Sequence, residues 1–192
     1  MNHSADILNK LIEKRRAIFP ATYIKKPISK VIIQQILDNA NWAPTHKFTE
    51  PWRFKIFRGE ALASLGSDMA KTYKTHTPTE KFKEKKFEKI QKKTLQCDCI
   101  IAICMQRQEE SLPEWEEIAA VACAVQNMWL TCTAYDIGCY WSSPIAIIEN
   151  AKEFLNLNEG ERCLGFFYMG YHEMPETKGK RTSIEDKIEW IE

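Results

Sequence analysis

Apolar positions in the first forty residues recur at helical spacing. Ile7, Leu8, Leu11, Ile12 and Ile18 fall roughly on one face, with Ser4 placed as an N-cap and Pro20 as a stop. Ser29 caps a second helix carrying Val31, Ile32, Ile36, Leu37 and Ala40, which Ala43-Pro44 ends. The period then changes: residues 52–57, Trp-Arg-Phe-Lys-Ile-Phe, alternate apolar and polar and predict a half-buried strand closed by Arg58-Gly59. Glu60 to Tyr73 returns to a helical pattern. The lysine-dense stretch 81–93 has Phe82, Phe87 and Ile90 as its only large apolar residues, and predicts a surface helix or a mobile flap. Cys99 to Met105 is an unbroken apolar run, the pattern of a buried strand. Pro113 opens the longest helix, reaching about Tyr135, and its apolar residues nearly encircle it from Ile118 to Leu130. Such a helix should be buried on most sides. A short strand at Cys139–Trp141, a short helix from Ile147 to Leu155 and a strong strand from Arg162 to Tyr171 follow, then a polar tail, 173–192. Helices and strands mix without strict alternation, which predicts an α+β fold; no linker or repeat divides the chain, so 1–192 reads as one domain.

The 192 residues suffice for one domain with its own core. A composition that is 44% hydrophobic and 28% charged excludes disorder and low-complexity behaviour. Lys+Arg at 27 against Asp+Glu at 26 leaves a formal charge of +1, so charge gives no case for nucleic acid or an anionic membrane as a partner. No uncharged run approaches the ~20 apolar residues that span a bilayer. Glu13, Lys14, Arg15 and Arg16 also interrupt the N-terminal segment, which does not read as a secretory signal. The seven cysteines, at 97, 99, 104, 123, 132, 139 and 163, are odd in number and include no C-x-x-C pair. They read as buried free thiols in a reducing cytosol, not as a disulfide framework or a structural zinc site.

Four clusters could carry chemistry. Arg15-Arg16 follows the first helix; two guanidinium forks suit a phosphate, and cations there also complement the helix dipole. Residues 42–52, Trp-Ala-Pro-Thr-His-Lys-Phe-Thr-Glu-Pro-Trp, form a polar loop bracketed by two prolines, which could present His46 and Thr49 to a ligand or leave them in solvent. Residues 138–144, Gly-Cys-Tyr-Trp-Ser-Ser-Pro, put two hydroxyls after an aromatic strand, either as donors to a ligand or as a serine-rich turn. Lys178-Gly-Lys-Arg181 makes a basic cluster in the tail. No G-x-G-x-x-G, P-loop or G-x-S-x-G motif is present, and no His/Cys set has metal-ligand spacing.

The order of these clusters resembles the nitroreductase family over essentially the whole chain. Arg15-Arg16 comes first, then residues 43–47, Ala-Pro-Thr-His-Lys, then residues 50–54, Glu-Pro-Trp-Arg-Phe; Ala119 to Gly138, Trp141-Ser-Ser and a basic tail complete the order. The likeness is greatest to the short, single-domain branch whose loop carries Pro-x-His-Lys. It implies a mostly antiparallel sheet flanked by helices, and an intertwined homodimer with flavin mononucleotide (FMN) at the subunit interface. By the same resemblance the helix Glu116–Ala134 is the central dimer helix, and the tail 173–192 packs on the partner subunit.

Residue by residue, Arg15 and Arg16 match the family's paired arginines at the flavin phosphate and pyrimidine side. Ala17 stands where a serine is usual, so one hydroxyl contact is missing. A further basic residue common a few positions later is also absent, with Pro20 and Thr22 in that area. Trp42 and His46 match positions that reach the cofactor from the opposite subunit. Trp141, Ser142 and Ser143 match the stretch along the isoalloxazine edge, and Lys180 or Arg181 a basic residue that closes on the phosphate. The implied activity is ping-pong hydride transfer from NADH or NADPH through flavin N5 to a nitroaromatic, quinone or similar acceptor. A non-enzymatic flavin-binding or storage protein on the same fold is the alternative, and a plain interaction domain with an empty pocket is a third reading.

Overall fold

The computed structural model describes residues 3–192. Its elements in chain order are α1 (His3–Lys14), α2 (Lys30–Asn41), β1 (Trp52–Arg58), α3 (Ala61–Thr75), α4 (Glu84–Thr94), β2 (Cys99–Gln106), α5 (Glu114–Ala134), β3 (Ile137–Ser142), α6 (Ile145–Ile148) and β4 (Glu161–Tyr171). The four strands form one antiparallel sheet in the order β1-β2-β4-β3. Helix and antiparallel sheet are mixed, as the sequence predicts.

The two-residue period of the strands builds two cores. Cys99, Ile101, Ile103 and Met105 of β2 join Phe167 and Met169 of β4 on the face covered by α2 and α5. Ile100, Ala102 and Cys104, with Phe166 and Tyr168, turn to the other face, under α3 and α6. Central strands buried on both faces must be apolar throughout, which explains the unbroken run in β2. Each fully buried isoleucine contributes about 1.5–3 kcal/mol.

Several boundaries differ from the sequence expectation. Ser4 lies inside α1 instead of capping it, and α1 stops at Lys14, well before Pro20. The backbone beyond Arg15 is claimed elsewhere: Ile18 N–H donates to the Cys139 carbonyl at 3.1 Å, and the Trp129 indole N–H donates to the Arg16 carbonyl at 3.0 Å. Pro20 opens a 3-10 turn instead. Ser29 caps α2 as expected, its hydroxyl accepting from Ile32 N–H. The 81–93 stretch is a surface helix, α4, with Phe87 and Ile90 packed against the second core. The helix expected over 147–155 is the single turn α6, continued by turns.

The largest departure concerns α5. One side is buried through Ala120, Val121, Ala124, Val125, Met128 and Cys132, but a stripe through Trp115, Ile118, Ala119, Cys123 and Gln126 faces solvent. The α1 face bearing Ile7, Leu8 and Ile12 is likewise exposed. The apolar pattern around α5 is therefore satisfied only in part within one chain. No helix among the described residues is long and apolar enough to cross a membrane.

Candidate functional site

Residues 15–24 run from the end of α1 along the edge strand β3, held there by Tyr23. The Tyr23 hydroxyl donates to the Ile18 carbonyl at 2.8 Å. Its ring lies on Gly170, where a Cβ would come within 2.5 Å of it, and a Cβ on Gly138 would likewise come within 3.0 Å. Only glycines let the ring approach the sheet this closely. The anchored segment presents Arg15 and Arg16, both half-buried. The Arg15 guanidinium lies 4.7 Å from the centre of the Trp129 ring. Arg16 donates to the carbonyls of Thr177, Glu13 and Arg15. The tail passes so close that a Cβ on Gly179 would meet the Arg16 guanidinium at 2.7 Å.

The structure brings Arg15, Arg16 and Arg181 together. Burial lowers the Arg15 pKa below the usual guanidinium range, and the nearby Arg181 and Arg16 cations lower it further. None of the three is in an ion pair with a carboxylate among the described residues. Like charges gathered without a counter-ion are the donor set an oxyanion needs. Lys180 is exposed, and its carbonyl accepts from Arg181 at 2.7 Å. Ala17 is exposed between Arg16 and Ile18 and offers only its backbone. Thr177 and Gly179 pack on Arg16 of their own chain.

In β3, Trp141 and Ser142 point to opposite faces of the sheet. The β2–β4 register shifts between Ile103 and Cys104, opposite Leu164. That bulge frees the Leu164 carbonyl, which accepts from the Trp141 indole N–H at 3.1 Å. Gly165, at φ +144°, makes room for the indole, since a Cβ there would overlap it. Ser142 hydrogen-bonds Tyr140, whose pKa burial nevertheless pushes up to about 12. Ser143 is exposed, directly before Pro144 and α6.

His46 lies elsewhere. The loop after α2 is wound tightly, with Lys47, Phe48 and Glu50 at φ of 51°, 53° and 39°. Three non-glycine residues in the left-handed region need anchors. Thr45 and Thr49 share a hydroxyl hydrogen bond at 3.0 Å, Lys47 donates to the Ser111 carbonyl, and His46 Nδ1–H donates to Glu116 Oε2 at 2.6 Å. Glu116 is in the first turn of α5, whereas Trp129, which carries Arg15, is near its end. Thirteen residues at about 1.5 Å each separate them by roughly 20 Å. His46 and the paired arginines of one chain therefore do not share a pocket. Trp42, at the end of α2, is 86% exposed.

A cavity of about 560 Å³ adjoins the Arg15–Arg16 segment on the α4 side of the sheet, with Phe19 and Tyr140 on one wall and Lys85, Lys89, Lys92 and Lys93 on the other. The Phe19 and Tyr140 rings are 4.8 Å apart. The Lys93 ammonium sits 4.7 Å from the Tyr140 ring centre and 4.2 Å from that of Tyr168, and burial lowers its pKa to about 8. Sequence reasoning did not single out Trp129 and Glu116, which the arginines and His46 contact, or Tyr140 and Lys93, which line the cavity. The first three looked like core or helix-start positions, and Lys93 was hidden in a lysine run. No group of His, Cys, Asp and Glu among the described residues could hold a metal ion.

Comparison with known proteins places the chain among relatives of one kind. The model of the nitroreductase family matches residues 12–171. A Bacillus subtilis (strain 168) protein named "Putative NAD(P)H nitroreductase YfhC" is 28% identical over 189 residues, covering 97% of this chain and 95% of its own. The crystal structure of a nitroreductase-like family protein from Bacillus cereus superposes with a TM-score of 0.81 at 27% identity, covering 96% of each chain. The FMN-dependent nitroreductase NfnB from Mycobacterium smegmatis, solved in complex with NADPH, has the same fold at 13% identity, with a TM-score of 0.76 over 98% of this chain and 100% of that one.

Proposed function

The chain belongs to the nitroreductase family, and on that premise we propose that it is an FMN-dependent NAD(P)H oxidoreductase serving a nitroaromatic, quinone or similar small-molecule acceptor. The observation that carries this reading is the Arg15–Arg16–Arg181 cluster, three cations without a carboxylate partner, beside Cys139 of β3. A phosphomonoester suits that cluster, and a ring system extending from it would lie toward β3. FMN offers both parts in one molecule. The M. smegmatis neighbour is FMN-dependent and was solved with NADPH, and a 21% identical Desulfovibrio desulfuricans structure was solved with FMN, in line with this reading.

FMN held there would supply the redox chemistry between a nicotinamide donor and the acceptor. The chain's own task is to bind, orient and polarise. Between them, Arg15, Arg16 and Arg181 would hold the phosphate and the pyrimidine side of the ring, and a guanidinium at the ring would stabilise negative charge there on reduction. Lys180 is a further cation in the tail. The missing Ala17 hydroxyl leaves a backbone or solvent contact in its place. No cysteine need act as a nucleophile: six of the seven thiols are buried, and burial pushes Cys97 and Cys99 up to about 12. These free thiols suit a reducing compartment, which supports a cytoplasmic location.

The site is shared between two copies of the chain in this reading. The exposed stripe on α5 has small residues at its middle, Ala119, Ala122 and Cys123. Small residues let two helices approach at about 8 Å. A two-fold axis near Ala122–Cys123 brings the His46 end of one α5 beside the Arg15 end of the other. Trp42 and Phe48, exposed in one chain, then have a surface to cover.

The visible spectrum of the purified protein, before and after anaerobic NADPH, tests the reading. About one FMN per chain, bleached by the nicotinamide, is expected. Bound FAD, or colourless protein that ignores added FMN, overturns it.

A further inference from the structure

Two of the buried thiols face each other across the sheet. Cys104 of β2 and Cys163 of β4 are directly opposed partners in the antiparallel register. Both side chains belong to the core under α3 and α6. The two thiols are hydrogen-bonded to each other, and both are free. Opposed residues of an antiparallel pair have their Cα atoms about 4.5–5.5 Å apart. A disulfide needs about 4.4–6.8 Å. Side-chain rotation therefore suffices to close the bond, with the strands where they are.

The two thiols are not equivalent. Cys104 is sealed from solvent, whereas Cys163, near the start of β4, keeps 6% of its surface. Their shared hydrogen bond raises the Cys104 pKa and lowers that of Cys163. The thiolate is the nucleophile toward an oxidant, so Cys163 is the thiol that reacts first, with Cys104 already in contact to resolve it. A second pair in hydrogen-bond contact, Cys132 and Cys139, is enclosed on all sides at 0% and 1% exposure, and neither member can meet an oxidant first.

The pair also sits at the irregularity in the sheet. The β2–β4 register shifts between Ile103 and Cys104, and Leu164, next to Cys163, gives its carbonyl to the Trp141 indole. A bond between Cys104 and Cys163 ties the two central strands at this bulge. It also closes a loop of about 60 residues that contains all of α5, β3 and α6.

We propose that Cys104 and Cys163 form a reversible disulfide when the protein meets a hydroperoxide. The Cys163 thiolate attacks a peroxide oxygen: the O–O bond breaks, the sulfur becomes a sulfenic acid, and hydroxide or alkoxide leaves and takes a proton from solvent. The Cys104 sulfur then attacks the sulfenic sulfur. The S–S bond forms, the S–O bond breaks, and water leaves with the Cys104 proton. The two thiols lose two electrons and the peroxide gains them; a dithiol reductant returns them. The step needs neither flavin nor nicotinamide, and its product is a staple across the fold under oxidising conditions.

Peptide mapping without reductant, on the purified protein with and without hydrogen peroxide, tests this. Cys97, Cys99 and Cys104 share one tryptic peptide. That peptide should become linked to the one starting at Cys163, with fragmentation assigning the bond to Cys104 and dithiothreitol reversing it. Cys104→Ala should stop at a sulfenic acid on Cys163, which dimedone traps, and Cys163→Ala should give no linked peptide. Oxidised wild type should unfold about 5–10 °C above the reduced protein, a rise absent from Cys104→Ala. If an alanine variant fails to fold, the wild-type map still decides. Oxidation confined to the exposed Cys123, a Cys132–Cys139 link, or Cys163 carried on to sulfinic acid with Cys104 still free overturns the proposal.

Discussion

The two ends of α5 are built to opposite plans. Near its C-terminal end the arginines are half-buried, packed on Trp129 and held by backbone carbonyls from α1 and the tail. Near its first turn His46 sits on a loop wound through the left-handed region, clamped at its base by Glu116 and Ser111, with Phe48 91% exposed at its tip. One end is a receptor without a cover. The other is a projection with nothing to touch. Left-handed backbone at a non-glycine residue costs of order 1 kcal/mol, and a fold keeps it where the geometry is used. On the function proposed above, the contrast teaches that a single chain would hold two halves of one site, roughly 20 Å apart.

Breaking the helix pairing tests that lesson most severely. Cys123 is exposed in the single chain, so Cys123→Arg leaves the core untouched while placing a long cation at the middle of the stripe. Light scattering should fall from twice 22.4 kDa to 22.4 kDa, and FMN should be lost from both sites together. Cys123→Ser should remain dimeric. A folded monomer with a full complement of FMN would show that each chain owns a complete site.

The next effect separates the arginine end from the lysine face. Arg16→Ala removes one partner of a desolvated charge pair, a loss of about 2–5 kcal/mol. FMN affinity should drop about 30-fold or more. Lys89→Ala, on an exposed position of α4, should change it little. Calorimetric titration of FMN into each variant decides this, and equal losses would move the phosphate away from Arg16. Mixed dimers sharpen the comparison. A chain with Arg16→Ala paired with a chain carrying His46→Ala should have one intact site and one doubly damaged site. Titration should then reach half-occupancy at the wild-type affinity. Uniform weakening of both sites would place the two residues in one chain's pocket.

Much of this was legible in the sequence, for reasons that can be named. The strands followed from period-two alternation in β1 and from the unbroken apolar run of β2, because side-chain alternation is a local property of the backbone. The arginine pair and Trp141–Ser142 stood out because their residue types suit a phosphate and a ring edge. What stayed hidden was non-local. The end of α1 is set by Cys139 and Trp129, more than a hundred residues away, and no local pattern encodes that. Trp129 sits in an apolar helix like any core residue, and only the fold puts Arg15 over it. The apolar girth of α5 predicted burial on most sides, but one chain covers only one side. Sequence periodicity reports how much surface must be buried, and not by which chain.

The smallest expected effect lies at the His46 end. A carboxylate only accepts hydrogen bonds, so Glu116 holds His46 with its proton on Nδ1 and leaves Nε2 facing outward. Glu116→Gln keeps the shape of the side chain but can offer its amide nitrogen instead, which allows the ring to flip or to change tautomer. His46 is more than half exposed, so solvent screens the loss and the effect on FMN affinity should be only a few-fold, well below that of Arg16→Ala. The readout that distinguishes positioning from support is the imidazole itself. Nitrogen chemical shifts of His46 should show one tautomer in the wild type and a mixture in Glu116→Gln, with unfolding temperature little changed. Double variants complete the argument: once His46 is alanine, Glu116→Gln should have no further effect on FMN binding. An additive loss in the double variant would show that Glu116 acts on the N-terminal end of α5 directly and that the His46 loop is oriented by its threonine and lysine anchors alone.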